Sequence, residues 1–208
     1  MKNKLAIFGG RPVLKNPLPP YNSLGKEEER AALKVMKTKV LSAFLGREGQ
    51  YFLGGHYVKE LEKKFCQYFK IKYAVSFNSA STALQAAIGA LGIGPGDEVI
   101  TTPFTMSATA SAILFNNALP VFCDINENDF CIDPDKIEPL INKNTKAILT
   151  VNLFGGTADY SKILKIAKKY NLKIIEDNAQ SAGATYKNKF LATIGDIPFN
   201  RRAWILPQ

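Results

Sequence analysis

"DYSKILKIAKKYNLKIIEDNAQ", residues 159–180, decides the fold. In its first half Ile163, Ile166 and Ala167 recur at helical spacing among lysines, so 159–171 reads as an amphipathic helix. The second half, "LKIIED" (172–177), is a short apolar run that ends at two acids, as a buried strand does where it leaves a sheet. A helix running straight into a strand is half of a parallel βαβ unit. Glu176 and Asp177 then stand at the strand's carboxyl end. A carboxylate buried there without a cation or several donors is costly. Neighbours on a strand face opposite ways, so the two acids serve different faces of the sheet.

The same alternation continues outward. "YAVSF" (73–77), "DEVIT" (97–101), "LPVFCDI" (119–125) and "KAILTVNLF" (146–154) are predicted strands. "SASTALQAAIGALG" (79–92) and "SATASAILFNN" (107–117) are predicted helices, and "DPDKIEPLIN" (133–142) a short helix opened by an acidic cap and a proline. This pattern predicts an α/β fold, a three-layer sandwich with a mostly parallel sheet covered on both faces. Upstream, "NPLPPYNSLGKEEE" reads as an extended arm. "GKEEERAALKVMKTKVL" reads as a helix with its acids in the first turn, and "HYVKELEKKFCQYF" as a helix with Val58, Leu61, Phe65 and Phe69 on one stripe. The expected organisation is an arm, helix and loop over 1–54, a sheet domain over 55–197, and a tail over 198–208.

The chain has 208 residues, enough for one large core. Its 27 Lys+Arg against 18 Asp+Glu give +9, but the lysines are spread along helix-like segments such as Lys162, Lys165, Lys168 and Lys169. That is the pattern of solvated helix faces, and no nucleic-acid partner is expected. Three cysteines without a CxxC pair and a single histidine, His56, give neither a disulfide framework nor a multi-histidine metal site. The apolar run near the N-terminus is four residues long, too short for a signal-peptide core, and no run reaches the length of a membrane span. A cytoplasmic setting without a membrane partner is the expectation.

Ligands of open α/β sheets bind beyond the carboxyl ends of the strands. "NSAST" (78–82) opens a helix there, so the N–H groups of Ala80 and Ser81, with nearby hydroxyls, form either an anion site suited to phosphate or a plain serine cap. The glycines of "LGIGPGDEVI" (91–100) follow a helix and precede a strand, the reverse of a dinucleotide fingerprint. "EDNAQ" (176–180) brings a carboxylate to the same crevice. Phosphate at one end and a protonated ring nitrogen at the other describe pyridoxal 5'-phosphate (PLP), with Asp177 facing the nitrogen and Gln180 the ring's phenolic oxygen.

The series "NSASTALQAAIGALGIGPGDEVITTPFTMSATASAILFNNALPVFCDI", "IDPDKIEPLINKNTKAILTVNLFGG" and "IIEDNAQSAGATYKNK" resembles the DegT/DnrJ/EryC1/StrS family of PLP-dependent sugar aminotransferases, over about residues 20–197. The resemblance implies the large domain of PLP-transferase fold type I, here incomplete, with the small carboxyl-terminal domain absent. It implies transfer of an amino group from an amino acid, with glutamate the expected donor, to a nucleotide-linked keto-sugar of polysaccharide biosynthesis, by a homodimer. Ala80 and Ser81 match the phosphate-holding positions, where the family usually has glycine and threonine. Asp177 and Gln180 match the residues beside the ring nitrogen and ring oxygen. Met106 falls where many members stack an aromatic ring. The family's Schiff-base lysine should follow the fifth strand, yet no lysine occurs after Lys189, and "GDIPFNRRAWILPQ" takes that place. Pro198 is expected to keep that segment out of a central strand. The chain is thus expected to be an amino-terminal fragment, without a catalytic residue of its own and inactive as written. A dehydratase of the same family and a non-catalytic fragment or pseudogene product are the alternatives.

Overall fold

The computed structural model describes residues 4–16, 19–20, 22–200 and 203–206, with 198–200 and 203–206 described as backbone. Pro17, Leu18 and Tyr21 of the expected arm, and 201–202 and 207–208 of the expected tail, lie outside the described residues. The chain divides into two units, Met1–Phe52 and Leu53–Gln208.

Among the described residues the first unit holds one α-helix, α1 (Lys26–Lys37). Glu28 folds back on the Gly25 N–H at 2.8 Å, and Glu27, Glu28 and Glu29 lie in the first turn, where the helix dipole favours them.

The second unit is the sheet domain. Its helices are α2 (Gly55–Phe69), α3 (Ala80–Ala90), α4 (Ser107–Phe115) and α5 (Tyr160–Tyr170). Its strands are β1 (Tyr73–Ser76), β2 (Glu98–Thr101), β3 (Leu119–Phe122), β4 (Thr145–Val151), β5 (Lys173–Asn178), β6 (Thr185–Tyr186), β7 (Lys189–Phe190), β8 (Ile197–Asn200) and β9 (Ala203–Leu206). Seven of them form one sheet in the order β1-β9-β8-β5-β4-β2-β3, in which only pairings to β9 are antiparallel. β6 and β7 make a separate hairpin, turned by Lys187 and Asn188, both at positive φ.

Period-two alternation sorts the core into two layers. Val99, Ala147, Leu149, Val151 and Ile175 pack with Leu84, Ala87 and Ile88 of α3 and Ala112 and Ile113 of α4. Ile100, Ile148 and Ile174 pack on the other face with Tyr160, Ile163 and Ile166 of α5. The chain order reverses between β2 and β4, so the switch point where ligands bind lies between their carboxyl ends.

Two expectations need correcting. Residues 133–142 form two 3-10 turns, Pro134–Lys136 and Glu138–Leu140, instead of a short helix. The Asp133 cap is present, but Pro139 removes an N–H and crowds the carbonyl four residues back, which stops an α-helix. Pro198 does lie in a strand within the sheet, β8. In a parallel ladder alternate N–H groups point to one neighbour, and Asp196 N–H donates to the Ile174 carbonyl of β5 at 2.9 Å. Position 198 is therefore where β5 would receive its next bond, and proline has no N–H to give. The Glu176 carbonyl, opposite it, receives the Asn178 side-chain amide at 3.4 Å. A single missing rung, partly replaced by a side chain, leaves the strand in place.

Candidate functional site

The two acids that end β5 part ways as alternation requires. Glu176 is fully buried on the α5 face and accepts the N–H groups of Ala192 (3.0 Å), Ile194 (2.7 Å) and Gly195 (2.5 Å). Burial raises its pKa against the pull of those three donors. Its carboxylate is spent on holding the turn before β8.

Asp177 points to the α3–α4 face and is 5% exposed. One oxygen accepts the Ala179 N–H at 3.1 Å and the other the Thr109 hydroxyl of α4 at 3.3 Å. Among the described residues it makes no ion pair. Burial outweighs those two donors and pushes its pKa from 3.8 to about 6. A carboxylate so placed has room in its electrostatics for a cation.

A cavity of about 290 Å³ opens at the switch point, lined by Pro103, Phe104, Thr105, Met106, Leu153, Phe154 and Gln180. Gln180 is exposed, and its Oε1 accepts the Phe154 N–H at 3.1 Å. That contact leaves both Nε2 hydrogens to donate elsewhere. Met106 is 67% exposed at the N-cap of α4. It also borders a second cavity, about 350 Å³, lined by Ser81, Thr82 and Ser107 among others.

At the start of α3, Ser79 caps the helix by accepting the Thr82 N–H at 3.2 Å. The cap reading of "NSAST" is therefore realised. It leaves the N–H groups of Ala80 and Ser81, at the first positions of the helix, without helical acceptors. Neither residue has positive φ, so alanine at position 80 carries no backbone strain.

The structure thus brings Met106 and Gln180 to one cavity, and Met106 and Ser81 to a neighbouring one. Asp177 lines neither cavity; its bond to Thr109 ties it to α4, whose N-cap Met106 and first residue Ser107 border them. Thr109 escaped the sequence reading, although it lies three residues after Met106 and hence on the same helix face. Two lysines of α5 pair with surface acids, Lys162 with Asp135 and Lys169 with Glu138. Among the described residues neither cavity has a lysine in its wall.

The family model of the DegT/DnrJ/EryC1/StrS aminotransferase family matches residues 35–199. The UDP-2-acetamido-2-deoxy-3-oxo-D-glucuronate aminotransferase of Pseudomonas aeruginosa is 46% identical over 143 residues, which are 69% of this chain and 40% of that protein. The crystal structure of an aminotransferase from Psychrobacter cryohalolentis superposes with a TM-score of 0.81 at 31% identity, covering 92% of this chain and 49% of its own. The E. coli GDP-4-keto-6-deoxy-D-mannose-3-dehydratase with bound hydrated PLP gives 0.79 at 29% identity, covering 90% and 50%. The chain spans about half the length of the relatives it matches.

Proposed function

The chain belongs to the DegT/DnrJ/EryC1/StrS aminotransferase family, and from that premise we propose that the carboxyl ends of its central strands bind PLP, the cofactor with which a full-length protein of this kind would transfer an amino group from an amino acid to a nucleotide-linked keto-sugar. The observation that carries this reading is Asp177, a buried carboxylate with two neutral donors and a raised pKa. A protonated ring nitrogen supplies the missing partner. When bound, PLP provides the electron sink for moving an amino group between two carbons.

Each residue has a task in this reading. Asp177 accepts from the ring nitrogen and keeps its proton there. Gln180, its Oε1 held by Phe154, turns Nε2 toward the ring oxygen. The free N–H groups of Ala80 and Ser81 at the α3 N-terminus hold the phosphate, helped by the helix dipole. Met106, between the two cavities, lays its polarizable sulfur against the ring face. Thr109 orients the Asp177 carboxylate.

Among the described residues no lysine lines either cavity. Lys187 donates to Ser161 Oγ at 2.5 Å and covers the Tyr186 ring, on the α5 side of the sheet. We therefore expect the 208-residue chain to bind PLP without a covalent link and to turn over neither glutamate nor a keto-sugar. Glutamate as donor, a cytoplasmic setting and a homodimer complete the proposal. Titrating the chain with PLP and following absorbance tests it. Saturable binding that weakens about tenfold or more in Asp177→Asn is expected, from the loss of a charged hydrogen bond. Equal binding by both proteins, or a borohydride-stable adduct on one lysine, would overturn it.

A further inference from the structure

Behind the cavity, Thr150, Asn152, Tyr160 and Asn178 form a cluster of polar side chains with no solvent exposure. Buried polar groups need partners, and Asn152 uses both Nδ2 hydrogens and its Oδ1. Its Nδ2 donates to Asn178 Oδ1 at 2.6 Å and to the Tyr160 hydroxyl at 2.7 Å. Its Oδ1 accepts the Ala158 N–H at 3.0 Å. The Tyr160 hydroxyl is also paired with Thr150 Oγ1 at 2.9 Å. The backbone N–H of Asn152 donates to the Asp177 carbonyl at 3.0 Å. Two residues on, the Phe154 N–H donates to Gln180. The loop leaving β4 is thereby bolted to the end of β5 at Asp177 and Asn178 and to the following loop at Gln180. Asn152 itself does not border the cavity.

We propose that Asn152, braced by Tyr160, is a positioning residue that holds Gln180 and the end of β5 in place at the cavity wall. The position calls for two donors and one acceptor on one planar group, which asparagine supplies. Aspartate has no donor, and a buried charge between Asn178 Oδ1 and the Tyr160 oxygen would be poorly matched. An aliphatic residue would strand the Ala158 N–H in the core and leave Asn178 Oδ1 only the Ser181 hydroxyl, at 3.4 Å.

Amide hydrogen exchange on the cofactor-free chain tests this directly. In Asn152→Ala the Phe154 and Ala158 amides should exchange about tenfold faster, the effect of one hydrogen bond of ordinary strength, while Ala87 and Ile88 in α3 keep wild-type rates. Tyr160→Phe, which keeps the ring and removes one partner, should give a smaller rise at the same amides. It carries the test if Asn152→Ala does not fold. Wild-type exchange at Phe154 in the folded variants overturns the proposal. A second arm rests on the PLP reading. Asn152→Ala and Gln180→Ala should each weaken PLP by about tenfold, and the double variant no further, because one acts through the other. Additive losses overturn the route through Gln180. Failure of the wild-type chain to bind PLP sinks the cofactor reading alone, since the exchange result is read without cofactor.

Discussion

Asp177 is held at 5% exposure with one backbone N–H and one threonine hydroxyl for company. Its pKa, raised from 3.8 to about 6, has a definite sign for stability. The folded protein holds this proton more tightly than the unfolded chain, so the contribution is full below pH 3.8 and is lost as pH rises through about 6. A shift of about two units corresponds to about 3 kcal/mol. Cofactor-free Asp177→Asn should therefore gain stability relative to wild type as pH rises from 4 to 7, by up to about 3 kcal/mol, in urea unfolding. A constant difference across that range would contradict the burial argument. Sequence alone separated the two acids, because alternation along a strand is a local rule. It did not reveal Thr109, 68 positions before Asp177, or the pairing of Asn152 with Asn178, 26 positions apart. Such contacts are set by how helices and loops meet, which no local period records.

The turn between β7 and β8 works as a small element of its own. Glu176 gathers the N–H groups of Ala192, Ile194 and Gly195, and Asp196 accepts the Ile174 N–H at 2.9 Å. Gly195 passes so close to β5 that a Cβ would lie 2.8 Å from the Ile174 carbonyl oxygen. Glu176→Ala leaves three N–H groups without an acceptor and should cost about 3 kcal/mol or more, since each stranded buried donor costs about 1–3 kcal/mol. Urea unfolding reads this, and a loss under about 1 kcal/mol would show that the turn finds other partners. Most elements were legible from apolar periodicity: α3, α4, α5, β2, β4 and β5 all fall within the predicted segments or a residue or two of them. Two departures involve proline, and a third is β9 (Ala203–Leu206), a strand in the stretch 198–208 that the sequence reading left as a tail. At Pro139 the missing N–H broke a helix, whereas at Pro198 the sheet tolerated the same defect because neighbouring rungs remain.

At the scale of the whole molecule, the sheet's far edge is β3, where Leu119 and Phe122 are more than half exposed, beside Leu114 and Phe115 of α4. Apolar side chains on an open sheet edge favour association with another chain. The proposed homodimer should therefore appear in sedimentation as a concentration-dependent species of twice the 22.9 kDa chain mass. A single monomeric species at all concentrations would contradict it. Among the described residues no helix is long and apolar enough to cross a membrane. The central claim remains the pairing of Asp177 with a cationic ring nitrogen. Its most direct test is the ¹⁵N chemical shift of ring-labelled PLP bound to the chain, at a pH where the free cofactor's nitrogen has lost its proton. A protonated nitrogen in the wild-type complex, lost in Asp177→Asn, is the expected result. A shift equal to that of free, unprotonated PLP in the wild-type complex would contradict the account.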